Sequence, residues 1–276
     1  MMETATLRSL LDRFHRGNGR IALLTGAGIS AESGIPTFRG PEGYWTVGSR
    51  EYRPEEMATR FMFRQDPWEV WSWYLYRRTV CLRGAPNAGH ESIVRMESRL
   101  ADRFRLITQN VDGLHLRAGN TPERTFQIHG NLHDMRCARS CSVEIFPIPP
   151  GAGPKDRNEA VTEEEKRMLV CPRCGSLARP HVLWFDESYN EHHFRAESAL
   201  RWAYRADLLI VIGTSGATTL PMQIGEIFLE KPEAIFLDVN PHPNPFQEMA
   251  EAHPNGLALK GTACEILPAI VDLLGN

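Results

Sequence analysis

Four of the six cysteines in this chain fall as two close pairs, Cys137/Cys141 and Cys171/Cys174, while Cys81 and Cys264 stand alone. Four thiolates spaced C-x3-C and C-x2-C can close a tetrahedron around one zinc ion, and with every position filled by sulfur such an ion is structural rather than catalytic. Free thiols are the plainer alternative. A second kind of chemistry is offered by Gly26-Ala27-Gly28-Ile29-Ser30-Ala31, a G-x-G-x-x-A run whose glycines let backbone N–H groups approach a pyrophosphate at a helix start. A tight strand-to-helix turn with no ligand is its competing reading. A third lies in Trp68-Glu69-Val70-Trp71-Ser72-Trp73-Tyr74-Leu75-Tyr76-Arg77-Arg78. Tyr74 and Arg77 stand at i and i+3, so a hydroxyl and a planar guanidinium can point to one side and pair with a carboxylate. The alternative is a packed tyrosine beside a helix-surface arginine.

These groups need elements to position them. Continuous apolar runs occur at 21–24, 104–108, 125–128, 208–212, 234–239 and 257–259, as expected of parallel strands covered on both faces. Helical periodicity fits 5–14, 66–82, 88–100, 194–204, 221–229 and 264–273, interleaved with those strands. The alternation predicts an α/β fold with a doubly wound sheet. Two stretches interrupt it: 41–82, aromatic-rich and mostly helical, and 133–177, which holds the cysteine pairs. Within the latter, 151–167 has almost nothing apolar to bury and reads as a mobile loop or an exposed helix start without chemistry.

At 276 residues, 42% hydrophobic and 24% charged, the chain can bury a full core, so disorder, collagen and coiled coil are excluded. A net charge of −3 gives no global field for nucleic acid or an anionic membrane. No run reaches the 18 or so residues that span a bilayer. A cytoplasmic protein without a cleaved signal is expected, its thiols kept reduced.

The glycine run continues as Glu32-Ser33-Gly34-Ile35-Pro36-Thr37-Phe38-Arg39-Gly40, and the whole resembles the NAD-binding signature of the sirtuins, the NAD-dependent protein lysine deacylases. Further motifs of that family follow in order: Thr108-Gln109-Asn110-Val111-Asp112-Gly113-Leu114-His115, Ile128-His129-Gly130, the cysteine pairs, Arg179-Pro180-His181-Val182-Leu183-Trp184-Phe185, Gly213-Thr214-Ser215, and Asn240 after a strand. Tyr74-x-x-Arg77 resembles the element by which one sirtuin class, the desuccinylase and demalonylase type, recognises acidic acyl groups.

The resemblance implies a Rossmann-like sheet with a smaller domain made of a zinc-binding module and a helical insertion. It places the NAD-binding domain at 1–40, 85–132 and 178–276, the helical module at 41–84 and the zinc module at 133–177. It implies deacylation of lysine by succinyl or malonyl removal, acetyl removal also being open to such enzymes, with release of nicotinamide and 2'-O-acyl-ADP-ribose. NAD is then a co-substrate and one zinc ion per chain is structural. His129 becomes the base for a ribose hydroxyl, whereas His115, His133 and His181 do not. Gly26, Ala27, Gly28, Ser30 and Ala31 hold the pyrophosphate, and Phe38 and Arg39 cover the reactive ribose. Gln109 and Asn110 meet ribose hydroxyls, and Asp112 with Ile35 receives the carboxamide. Gly213, Thr214, Ser215, Asn240 and Ala263 serve the adenosine side, and Val182 the substrate. The partners implied are acyl-lysine proteins or peptides acting on a monomer, with no nucleic acid and no membrane.

Asp186 departs from the family, which usually has glycine there, and so do 216–221 and 240–245. A mono-ADP-ribosyltransferase or NAD glycohydrolase using the same NAD site is the alternative activity, and a non-catalytic NAD-sensing module a third. A hydride-transferring dehydrogenase is disfavoured, because the cysteine insertion and Q-N-x-D have no role in it.

Overall fold

The computed structural model describes residues 2–37 and 54–274. Phe38 and Arg39 therefore lie outside the described residues. Nine strands follow one another among those described: β1 (Ile21–Thr25), β2 (Phe104–Thr108), β3 (Thr125–Gln127), β4 (Gly130–Cys137), β5 (Ile145–Pro147), β6 (Ala178–Val182), β7 (Leu208–Ile212), β8 (Ile235–Val239) and β9 (Gly256–Leu259). The six aliphatic runs of the sequence form one parallel sheet in the order β3-β2-β1-β7-β8-β9. Every residue of β1, β7 and β8 is buried, because helices cover both faces. Helices Met2–Arg16, Ala88–Leu100 and Ala263–Leu273 close one face over Leu23, Leu106, Ile210 and Leu237. Helices Ala196–Arg205, Thr219–Leu229 and Pro245–Ala252 close the other over Leu24, Val211 and Phe236. Each such side chain contributes about 1.5–3 kcal/mol relative to exposure. The chain runs outward from β1 in one direction and from β7 in the other, so a crevice opens at the carboxyl ends of these two neighbours, the place where such sheets bind ligands. The helix expected at 194–204 is broken in two at Arg195, whose φ of +51° ends Glu191–Phe194 before Ala196–Arg205 begins.

A second, antiparallel sheet has the order β5-β4-β6. It takes in Gly130 opposite Val182 and Cys137 opposite Ala178, so it reaches beyond the 133–177 span expected from the cysteines. The two strands GNLHDMRC and ARPHV lack the continuous apolar character that marks the large sheet, and their pairing is long-range. A separate core gathers here, with Trp71, Tyr74 and Leu75 from helix Pro67–Arg83 against Leu132, Met135, Leu169 and Trp184.

The segment 151–167 is tied down more firmly than its composition suggests. Thr162 caps helix Glu163–Met168 reciprocally with Glu165, giving the expected helix start. Before it, the buried Lys155 ammonium sits 2.8 Å from Glu165 and 3.0 Å from Glu159, and Ser72 donates to the Glu159 carbonyl at 2.7 Å. Polar contacts to the aromatic helix do here what apolar burial does elsewhere.

Candidate active site

The crevice is built first from backbone. The Gly26 N–H donates to the Ile212 carbonyl at 2.9 Å and the Gly28 N–H to the Gly213 carbonyl at 2.8 Å, so the loops after β1 and β7 are laced together. A Cβ on Gly28 would lie 2.7 Å from the Gly213 Cα, and one on Gly213, whose φ is +58°, would lie 2.7 Å from the Ile29 nitrogen. No other residue fits either position.

On this floor the Q-N-x-D residues form a connected network. Asn110 donates through Nδ2 to the Gly26 carbonyl at 3.1 Å and to Ser30 Oγ at 3.2 Å, and Ser30 donates to Asp112 Oδ2 at 2.8 Å. The Leu114 N–H donates to Asp112 Oδ1 at 2.8 Å, and His133 Nε2 donates to the Asp112 carbonyl at 2.9 Å. Burial nevertheless pushes the Asp112 carboxyl above its ordinary value, the hydrogen bonds only partly offsetting it. Gln109 donates to Thr214 Oγ1 at 2.9 Å, and Asn240 to the Thr214 carbonyl at 3.0 Å, so both glycine loops share one set of supports. Ser215 is exposed beside them. Ala31 is exposed at the end of the short helix Gly28–Ala31. Ala263 starts the last helix, its side chain packed where a Cβ on Gly89 would meet it at 3.0 Å.

His129 stands between β3 and β4. Its place is set by Gly130, where φ is +82° and a Cβ would collide with the His181 carbonyl. Nδ1 lies 3.1 Å from the Gln109 carbonyl, which can only accept, so Nδ1 carries the proton and Nε2 keeps its lone pair. Burial pushes the imidazole down to about 4, against a smaller upward pull from the Gln109 carbonyl, so the ring is neutral at pH 7 and able to take a proton. Nε2 accepts from Tyr189, whose hydroxyl lies 2.8 Å away.

Arg77 of the aromatic helix reaches the crevice, and Tyr74 packs beside it in the small core. The Arg77 guanidinium stacks 4.6 Å over the Trp73 ring and 5.6 Å over the Tyr74 ring, and it lines a small cavity with Ala27, Ser30, Ile35, Asn110 and Asp112. The Tyr74 hydroxyl accepts from Trp184 Nε1 at 3.0 Å and keeps its own proton to give, burial having pushed the phenol up to about 12. Trp184 is itself braced by Arg179, 3.3 Å over its ring, and Arg179 holds Glu187 at 2.9 Å. Val182 ends β6 buried in the small core. Asp186 accepts from the Arg60 and Phe61 N–H groups at 2.7 and 3.1 Å, so its carboxylate caps helix Arg60–Gln65 where a glycine could not.

The four cysteines converge. Their sulfurs all lie within 4.8 Å of one another, with Cys137–Cys174 and Cys141–Cys171 each at 3.6 Å. A tetrahedron of zinc–sulfur bonds about 2.3 Å long has sulfurs about 3.8 Å apart, so the donor set fits zinc with little movement. This is a structural zinc site, and it joins the end of β4 to the turn before β6.

Two residues of this site escaped the sequence reading. Tyr189 lies 60 residues from His129. Trp184 was quoted only as part of a motif, its contact with Tyr74 spanning 110 residues. Neither has a spacing relation to its partner that sequence could expose.

Known proteins resemble the chain along almost its whole length. The Sir2 family profile matches residues 26–219. The NAD-dependent protein deacylase of Leptospira interrogans is 38% identical over 259 residues, which cover 93% of this chain and 94% of that protein. NAD-dependent protein deacylase 1 of Pseudomonas aeruginosa is 38% identical over 263 residues, 92% of this chain and 94% of its own. Among solved structures, a Sir2 homologue bound to NAD superposes with a TM-score of 0.74 at 32% identity, covering 99% of this chain and 94% of that one. Sheet order, crevice and sequence agree on the class: the chain belongs to the Sir2 family, the sirtuins. NAD is the ligand its glycine-laced crevice is built for, and zinc the metal of its cysteine cluster.

Proposed function

We propose that this sirtuin removes short acidic acyl groups, succinyl or malonyl, from lysine side chains of proteins. As a Sir2-family enzyme the chain is an NAD-dependent protein deacylase. The acidic preference rests on one observation: the Arg77 guanidinium, held flat by Trp73 and Tyr74, lines the cavity that Ser30, Ile35 and Asp112 also line. A buried cation beside the reacting site has a carboxylate as its natural complement, and the Tyr74 hydroxyl adds a second donor. An acetyl group offers that fork nothing.

The remaining roles are part of the same proposal, and the hydrogen-bond network of the crevice supports them. Gly26, Ala27 and Gly28 present backbone to the pyrophosphate at the crevice, with Gly213, Thr214, Ser215 and Asn240 on the adenosine side. Gln109 and Asn110 orient ribose hydroxyls, and Asp112 with Ile35 receives the carboxamide. His129, neutral and with Nε2 basic, takes the proton of a ribose hydroxyl as the acyl oxygen attacks. The zinc knuckle fixes β4 and β6, and through them the His129–Gly130 turn and the Val182–Trp184 segment. The small domain then comprises this sheet and the aromatic helix.

The experiment is a comparison of acetyl-, succinyl- and malonyl-lysine peptides with NAD, products followed by mass. Arg77→Met is expected to lower succinyl and malonyl turnover about 10- to 100-fold, the value of one or two charged hydrogen bonds, while acetyl turnover stays within about threefold. Equal loss on all three peptides would sink the acyl assignment. Nicotinamide release that acyl-peptide fails to stimulate would favour ADP-ribosyl transfer or NAD hydrolysis instead.

A further inference from the structure

An imidazole nitrogen has one lone pair, and that of His129 Nε2 is already engaged by the Tyr189 hydroxyl at 2.8 Å. The other nitrogen is committed to the Gln109 carbonyl, so the ring has no second basic site. Tyr189 is held from more than one direction. The Thr218 hydroxyl donates to Oε1 of Gln109, the residue whose carbonyl holds His129 Nδ1, at 3.2 Å. The tyrosine ring packs against the apolar cluster under β7 and β8. Its neighbour Asn190 caps helix Glu191–Phe194 by accepting from the His193 N–H at 2.9 Å. Tyr189, His129, Gln109 and Thr218, drawn from four separate loops, thus form one chain of hydrogen bonds.

Any hydroxyl that delivers a proton to Nε2 must either push the phenol away or pass its proton through it. Displacement would break the phenol's bond to His129 and lift its ring from the apolar cluster, whereas a relay keeps every member in place. Building on the reading of His129 as the base, we propose that Tyr189 is a further catalytic residue, whose phenol carries the proton from the ribose hydroxyl to His129. The ribose O–H bond breaks as its proton passes to the phenol oxygen, and the ribose oxygen keeps the electron pair for attack. The phenol O–H bond breaks in the same event, its proton bonding to Nε2, so the phenol is restored and an imidazolium results. No free phenolate need form, which suits a hydroxyl that burial has pushed up to about 12.

Tyr189→Phe keeps the ring and its packing and removes only the relay oxygen. Single-turnover deacylation is expected to fall about 100-fold, the scale of one positioned proton transfer, with NAD affinity within about twofold and the melting temperature unchanged. The rate in mixtures of H2O and D2O should bow with isotope fraction in the native enzyme, two protons being in flight, and become linear in the variant. Thr218→Val, which removes the hydroxyl that holds Gln109 Oε1, should cost less, about fivefold, and Thr218→Ser should restore the rate. An unchanged rate in Tyr189→Phe, or a lowered KM for NAD, would overturn the relay and mark the phenol as a cap that NAD displaces. His129→Gln separates the two layers of the inference. Deacylation that survives it refutes the base itself, whereas deacylation lost there and kept in Tyr189→Phe refutes the relay alone.

Discussion

The glycine-laced crevice and the cavity lined by Arg77 touch each other, yet they are made differently. At the crevice the contacts are main-chain to main-chain, Gly28 to Gly213 and Gly26 to Ile212, and a single added Cβ is enough to force the strands apart. At the pocket the contacts are side chain to side chain, with Arg77 on Trp73 and Tyr74, Tyr74 on Trp184 and Trp184 on Arg179. On the proposed function, backbone recognises what every substrate of the reaction shares, and side chains recognise what differs between substrates. A mutation in the first should change rates uniformly, and one in the second should change ratios.

That division can be broken at three points of decreasing severity. The largest effect is expected from Cys171→Ser or from stripping zinc with a chelator. The small sheet then loses the clamp between β4 and β6, several kcal/mol are forfeited, and the melting temperature falls by about 10 °C or more. Calorimetry should show that loss with deacylation abolished for all acyl groups. An unshifted melting temperature would mean that the cluster is not a stability site.

Gly213→Ala comes next. A methyl group at φ +58° and 2.7 Å from the Ile29 nitrogen should cost about 1–3 kcal/mol and weaken NAD binding at least about tenfold by titration calorimetry. The ratio of succinyl to acetyl turnover should not move. A changed ratio would show that crevice and pocket are not separable.

The smallest effect is that of acid on the free enzyme. Burial pushes His90, His129 and His193 down to about 4 and His181 to about 3, and it also lowers His115 and His133. The unfolded chain binds these protons near pH 6.5, so stability is fully present above that value and is lost as pH falls through the folded values. Asp112, Asp134 and Asp238 are pushed up by burial, the last two to about 6, and act in the opposite sense, but three carboxyls do not offset six imidazoles. Thermal melts should therefore show a midpoint that drops between pH 6.5 and 4, while His129 stays neutral to about pH 5. A midpoint that rises on acidification would contradict the sign.

The large sheet was legible in the sequence because its strands are unbroken aliphatic runs, and all six expected runs lie in it. The small sheet was not. β4 and β6 carry His, Asp, Arg and Pro, and what pairs them is a cysteine cluster and a core shared with a distant helix. Lys155 taught the same lesson: its segment read as a mobile loop or an exposed helix start, and the burial of Lys155 against Glu165 and the tie from Ser72 to the Glu159 carbonyl were not visible in it. The residues around Gly26, Gln109 and Asp112 were readable as a group because they fall in tight runs, and the structure brings them into linked hydrogen bonds. Tyr189 was not, since a single tyrosine carries no pattern.

The lacing of the Gly28 N–H to the Gly213 carbonyl has a consequence for the order of events during synthesis. Residues 28 and 213 are far apart along the chain, and β7 must lie beside β1 before that bond exists. While the ribosome is still making β2 and the zinc sheet, the nascent polypeptide has only half a cradle and no purchase on NAD. The ligand can contribute to stability only after β7 has emerged, so the early folding of this protein proceeds without help from its co-substrate.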